Sequence, residues 1–158
     1  MASYRIQIQK SIVTILGVLP EFQTVEMLDT RKPENGGNSY EKSNLPKCVV
    51  EFIDDRPDND GPHSGIVERT MNLELGIYAL WPPDDTRADD EIVDELATAI
   101  ERVLNQNDQW SLSESVHLTL WDGVIAQDTD RDHLMAWTLR LRVRYQHDED
   151  DPEAPGAI

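Results

Sequence analysis

The first apolar pattern in the chain has the spacing of an amphipathic helix. Ser3 is available as an N-cap. Five apolar residues fall at helical spacing: Ile8, Ile12, Ile15, Leu16 and Leu19. Residues 4–8 also alternate between apolar and polar side chains, as the start of a strand would. The longer helical period favours a helix over this segment.

A second helix is predicted after the prolines that follow Trp81. Thr86 and Asp89 have the spacing of a capping box, and a run of acidic residues falls in the first turns, where the helix dipole favours negative charge. The helix is expected to have about five turns, at 3.6 residues per turn. Its apolar stripe consists of Ile92, Val93, Leu96, Ile100, Val103 and Leu104.

Four segments have the patterns of β-strands. Residues 47–54 form a short apolar run, and residues 115–122 alternate. Residues 66–81 alternate over a length unusual for a small domain, interrupted on the apolar side by Arg69. The segment from residue 132 to residue 146 is also long, and such strands tend to project beyond a core.

The order of these elements predicts an α+β fold, α-β-β-α-β-β, in which an antiparallel four-stranded sheet is flanked by two helices. Residues 1–147 are expected to form a single domain, with a long polar loop at 29–46. Polar connections are predicted at 54–65 and 122–132. The acidic residues 148–158 are predicted to be a disordered tail.

The last strand presents three arginines on one side. Its odd positions are apolar from residue 137 to residue 145, whereas Arg140, Arg142 and Arg144 occupy even positions, about 6.6 Å apart. Guanidinium groups pair with carboxylates through two parallel hydrogen bonds. Two interpretations remain open: contact with acids of another molecule, or pairing within the chain to the second helix, for instance to Asp94 or Glu101.

The charge balance of the chain disfavours two classes of partner. The 158 residues contain 31 acidic and 14 basic side chains, which gives a net charge of −17. Binding to phosphate backbones or to anionic membranes needs clustered positive charge. No apolar run is long enough to span a membrane, and the N-terminus lacks a signal layout, so we expect the protein to stay in the cell that makes it. Aspartate exceeds glutamate and arginine exceeds lysine, which indicates a high-salt host.

The sequence contains no motif of a catalytic, cofactor or metal site. Cys48 is the one cysteine and lies in an apolar run, so we expect a small buried side chain. The histidines have no ligand spacing. The acidic loop around Gly61 resembles a calcium loop, but Arg56 and Val67 occupy its first and twelfth ligand positions. We therefore predict neither an enzyme nor a metal protein.

The four tryptophans divide into two groups. Trp81 and Trp137 lie on the apolar sides of the long strands and are expected in the core. Trp110 and Trp121 lie at a helix exit and a strand end, and exposed tryptophan is enriched at protein interfaces. Trp110 and Trp121 are therefore candidate interface residues.

The layout resembles the tail terminator, or tail completion, proteins of long-tailed viruses. The similarity rests on an amphipathic first helix, the strand LPKCVVEF, the acidic helix DDEIVDELATAIERVL and the final strand WTLRLRVRY, and it covers residues 4–146. The 29–46 loop and the acidic tail are not required by the family. The resemblance implies a ring, usually a hexamer, that caps the tail tube, ends its elongation and joins the head.

The resemblance also implies partners and a location. They are the tail tube protein, a neck or head-completion protein and DNA that passes through the lumen, all within a virion assembled in the host cytoplasm. A different neck protein, a small acidic hydrolase and a DNA-mimic inhibitor remain alternatives. An acidic lumen would repel DNA, and its candidate residues are Asp54, Asp55, Asp58, Asp60, Asp128 and Asp130.

Overall fold

The computed structural model describes residues 3–57, 66–80, 89–106, 117–127 and 134–148. Two helices, five strands and two short 3-10 turns occupy most of these residues. In chain order they are helix α1 (Tyr4–Leu16), strand β1 (Thr24–Met27), the 3-10 turns Pro33–Asn35 and Lys42–Asn44, strands β2 (Lys47–Pro57) and β3 (Ile66–Leu80), helix α2 (Asp89–Gln106), and strands β4 (His117–Gln127) and β5 (Leu134–Asp148).

The strands form one mixed sheet in the order β1-β2-β3-β5-β4. Strand β1 is parallel to β2, and every other pairing is antiparallel. The predicted α+β class with two helices is confirmed, but the purely antiparallel four-stranded sheet is wrong. The missed strand, β1, has only four residues, too few to show a clear period, and its partner begins 20 residues after β1 ends.

Helix α1 begins after the predicted N-cap Ser3 and ends at Leu16, before Leu19, the last residue of the predicted stripe. The Ile6 amide donates to Oγ of Ser3 at 3.4 Å, which caps the first turn. Ile8, Ile12 and Leu16 are fully buried, so the helical period, and not the alternation at residues 4–8, decides the structure.

The hydrophobic core lies between both helices and one face of the sheet. Helix α2 contributes the described residues of its predicted stripe, and the odd-numbered residues of β3 and β5 point towards the helices. The stripe residues are Ile92, Leu96, Ile100, Val103 and Leu104. Cys48 is fully buried in this core, as predicted, and Trp137 is half-buried against it. The largest contributions from β3 and β5 come from Met71, Leu73, Leu75, Ile77, Leu139, Leu141, Val143 and Tyr145.

Two strands continue into segments that were predicted to be loops. Strand β2 reaches Pro57, with a register shift between Phe52 and Asp54. Strand β4 continues to Gln127, with register shifts on both sides of Asp122. Bulges allow a strand to accommodate residues that break its alternation, so the polar composition of these segments did not end them.

The predicted 29–46 loop has a defined structure. Gly36 adopts a φ of +92°, a left-handed conformation that glycine accepts without strain. The side-chain amide of Asn38 donates to the Glu26 carboxylate at 2.7 Å and to the Met27 carbonyl at 3.1 Å. These hydrogen bonds attach the middle of the loop to β1.

Candidate functional site on the uncovered sheet face

Both helices pack on one face of the sheet, and the opposite face carries the arginines. Residues that pair directly in an antiparallel sheet share a face. Arg140, Arg142 and Arg144 of β5 pair in register with Glu74, Asn72 and Thr70 of β3. These β3 residues pair in turn with Glu51, Asp54 and Arg56 of β2. We call this surface of β2, β3 and β5 the polar face.

This arrangement excludes the predicted pairing of the arginines with helix α2. The apolar side of α2 packs into the core on the other side of the sheet. Nε of Arg140 lies 3.4 Å from Oε1 of Glu74, so Arg140 pairs within the chain, but with the neighbouring strand. Asp94 and Glu101 belong to the covered side and are wrong as partners for the arginine stripe.

The first row of the polar face is predominantly acidic. Glu51 lies directly opposite Glu74, which lies opposite Arg140. Partial burial raises the pKa of Glu51, and the negative charge of Glu74 raises it further. A single guanidinium therefore faces two carboxylates.

The second and third rows carry more positive charge. Nδ2 of Asn72 donates to Oδ1 of Asp54 at 2.6 Å, beside Arg142 in the register. In the third row Arg56 and Arg144 lie on either side of Thr70, and both are exposed. Arg144 forms no ion pair with another residue in the described part of the chain. Among the described residues, its guanidinium group therefore remains exposed and has no carboxylate partner.

Charges on the polar face are balanced, unlike those of the whole chain. Between the row of Glu74 and the row of Glu68, the side chains of β2, β3 and β5 include four carboxylates and four arginines. The whole chain has a net charge of −17. The polar face is therefore a surface on which an acidic partner, including another copy of this chain, meets little net repulsion. The eight side chains are Glu51, Asp54, Glu68, Glu74, Arg56, Arg140, Arg142 and Arg144.

Asp55 is not a loop residue on a contact surface, contrary to the prediction. The bulge in β2 places it opposite Met71, on the helix side of the sheet, where its side chain is only 1% exposed. The Nη1 atoms of Arg5 and Arg69 lie 3.5 and 3.6 Å from its two oxygens. Tyr145 donates its hydroxyl to Oδ2 of Asp55. The carboxylate is therefore enclosed by cations and a hydroxyl.

The Asp55 cluster extends to His147. Nε of Arg69 donates to Nε2 of His147 at 3.0 Å, so this imidazole nitrogen is an acceptor. Burial raises the pKa of Tyr145, and its hydrogen bond to Asp55 raises it further. Tyr145 therefore remains protonated and donates to Asp55. Through Asp55, the cluster links β2 to α1, β3 and β5. In the sequence, the signal for this cluster was Arg69 on the apolar side of its strand.

The 29–46 loop closes one end of the polar face. Lys47 and Tyr78 are opposite each other in the register, and the Tyr40 ring lies 4.6 Å from the Tyr78 ring. Nζ of Lys47 pairs with the Glu26 carboxylate at 2.6 Å and lies 5.2 Å from the Tyr40 ring centroid. The Lys47 end is therefore buried, whereas no described helix or loop lies over the arginine rows.

Several predicted site residues lie outside the described residues. They are Asp58, Asp60, Asp128, Asp130 and Trp110, together with the acidic tail beyond Asp148. The backbone of Trp121 belongs to β4, but its side chain lies outside the described part. Within the described part, no cluster of three or more His, Cys, Asp or Glu side chains could hold a metal ion. No helix in that part is long and apolar enough to cross a membrane.

No protein-family model matches the chain, and no curated protein matches it significantly.

Proposed function

We propose that this protein is a tail terminator of a long-tailed virus, a structural protein that forms a hexameric ring on the tail tube. The ring ends tube elongation and presents a surface to a neck or head-completion protein. It functions without enzyme activity, in a virion assembled in the host cytoplasm. The observation that carries the proposal is the balanced polar face, whose arginine rows no described element covers, combined with the family-like order of helices and long strands.

The polar face supports assembly because its balanced charge limits the repulsion between acidic subunits at their contact. Six copies of a chain with a net charge of −17 repel one another unless local contacts offset the repulsion. Arg144 is exposed and faces no carboxylate across Thr70. In the proposed ring, Arg144 and Arg142 contact acids of a neighbouring subunit, of the tube or of the neck. The remaining acidic surface suits a lumen, since it repels passing DNA.

Electron microscopy of particles made after disruption of this gene tests the proposal. We expect filled heads beside separate tails of excessive and variable length, because elongation has lost its stop. Unattached tails of normal length would instead make this a neck or head-completion protein. Normal virions would exclude a role in assembly and leave the acidic hydrolase and the DNA-mimic inhibitor to be tested.

A charge reversal tests the arginine stripe separately. Arg144→Glu should abolish complementation of the disrupted gene while the purified variant keeps its thermal unfolding midpoint. Arg102→Glu is the matched control, because Arg102 is also exposed but lies on α2, on the opposite side of the sheet. Equal loss of complementation in both variants would mean that net charge, and not the polar face, is responsible.

A further inference from the structure

One edge of the sheet is only half covered. Strand β1 pairs with Lys47–Val50 of β2, and the last covering contact is the hydrogen bond from the Leu28 amide to the Val50 carbonyl at 2.8 Å. In the described part of the chain, no strand lies on the outer side of β2 from Glu51 to Pro57. We call this seven-residue segment the open β2 edge.

Exposed apolar side chains concentrate at the open β2 edge. Phe52 is 42% exposed and Ile53 is 44% exposed, and Leu28, which adjoins the edge, is 40% exposed. Across the described residues, the one other large apolar side chain with comparable exposure is Val18, at 75%. The segment also contains a bulge, four charged residues and Pro57, which are features that limit indiscriminate pairing at a sheet edge. Its exposed apolar side chains nevertheless lie beside unpaired backbone, which favours coverage by one specific strand.

The chain itself supplies a second edge of suitable direction. Strand β4 is at the far end of the sheet and pairs only with β5 in the described part. Successive antiparallel pairings from β2 through β3 and β5 make β4 antiparallel to β2. When a second copy is placed beside the first in the same orientation, its β4 therefore meets the open β2 edge as an antiparallel strand.

We propose that the open β2 edge binds strand β4 of a second copy of this chain, so that the sheet continues from subunit to subunit. This inference rests on the proposed ring and names its seam. Contact between two different edges is heterologous, and such contacts close into a ring when the rotation between subunits permits. Backbone hydrogen bonds provide the attachment, and burial of Phe52, Ile53 and Leu28 stabilises it.

The same seam places additional carboxylates near the arginine stripe. Adjacent strands lie about 4.8 Å apart, so β5 of one subunit and β2 of the next are about 10 Å apart across the intervening β4. Arg140 and Arg142 of the first subunit then share a face with Glu51 and Asp54 of the second. Arginine and acidic side chains are long enough to approach each other over this spacing.

Sedimentation velocity on the full chain tests the seam. We expect the wild type to associate between about 1 µM and 1 mM, and Ile53→Lys to weaken association at least about tenfold. Val18→Lys is the matched control, because it places the same charge on a more exposed apolar position that adjoins no strand edge. A monomeric wild type, an unaffected Ile53→Lys or an equal effect of both variants would overturn the proposal.

Hydrogen–deuterium exchange of the wild type covers the case in which Ile53→Lys fails to fold. On association, we expect new protection at amides of both residues 51–57 and residues 117–127. Protection confined to residues 51–57 would mean that β4 is not the occupant, and protection at neither segment would place the seam elsewhere. These measurements use the isolated chain, so they test the seam separately from the proposed function. They could exclude the seam while particle morphology still supports a tail terminator. They could equally support the seam while normal virions exclude that function.

Discussion

At the residue scale, Asp55 shows how one inserted residue changes the role of a side chain. The polar sequence around it suggests an exposed acidic loop, yet the register shift after Phe52 turns its carboxylate towards the helices. There Arg5, Arg69 and Tyr145 compensate it. Removing one member of a buried ionic cluster leaves the others without their partner, which costs more than the cluster contributes.

We therefore predict that Asp55→Asn lowers the free energy of unfolding by about 3 kcal/mol, because two arginines lose their carboxylate. Asp54→Asn should lower it by less than about 1 kcal/mol, since Asp54 is half-buried on the polar face and asparagine keeps a hydrogen-bond acceptor for Asn72. Urea denaturation of both variants makes the comparison. Equal losses would show that the Asp55 cluster has no special role in stability.

Cys48 gives a second prediction at the residue scale. Complete burial raises the pKa of its thiol to about 12, so almost no thiolate forms at neutral pH. We expect no reaction with Ellman's reagent at neutral pH in the native protein and one equivalent in denaturant. Rapid reaction of the native protein would mean that the sheet opens at the β2 strand on the time scale of the assay.

At the scale of elements, the polar face brings together two carboxylates that repel each other across neighbouring strands. Glu51 faces Glu74, and the raised pKa of Glu51 means that its charged form costs stability above its pKa in the folded state. Below the pKa of glutamate in the unfolded chain, both states are protonated and this cost disappears.

Glu51→Gln should accordingly stabilise the protein by about 0.5 kcal/mol at neutral pH, the scale of a cross-strand pair. The gain should vanish below about pH 4. Glu34→Gln, at an exposed position in a 3-10 turn, should have no effect at either pH. Denaturant unfolding at the two pH values measures the difference. A gain that persists in acid would have a cause other than charge.

The elements also show which parts of the fold were accessible from sequence. Helices α1 and α2 and strands β3 and β5 carry long, regular apolar periods, and the structure confirms them. Strand β1 carries no such signal, because its four residues gain their stability by pairing with β2. The polar face followed from the alternation around Arg142, whereas its partners on β2 depended on a bulge that composition does not reveal.

At the scale of the whole molecule, charge is distributed unevenly over the two sides of the sheet. The polar face balances its carboxylates with arginines, so the excess negative charge lies elsewhere, including exposed Glu91, Asp94 and Glu95 on α2. Such an excess disfavours the compact state through self-repulsion, and dissolved salt screens it. This is the physical basis for proposing a high-salt host.

We expect the thermal unfolding midpoint to rise substantially between about 0.05 M and 2 M KCl, because the screening length falls to a few ångströms. Scanning calorimetry at several KCl concentrations measures the change. The rise should be larger than that caused by a neutral osmolyte such as sucrose at matched water activity. A midpoint that is constant or falls with salt would remove the support for a high-salt host.

The pairing of Glu74 with Arg140 joins positions 66 residues apart in the chain, in strands that flank helix α2. Neither residue can change its charge without altering the surroundings of the other. Substitutions at the two positions should consequently be correlated in evolution, with loss of the acid at one position accompanied by loss of the base at the other. The pattern of inherited substitutions in related chains would then preserve a record of which strands lie side by side.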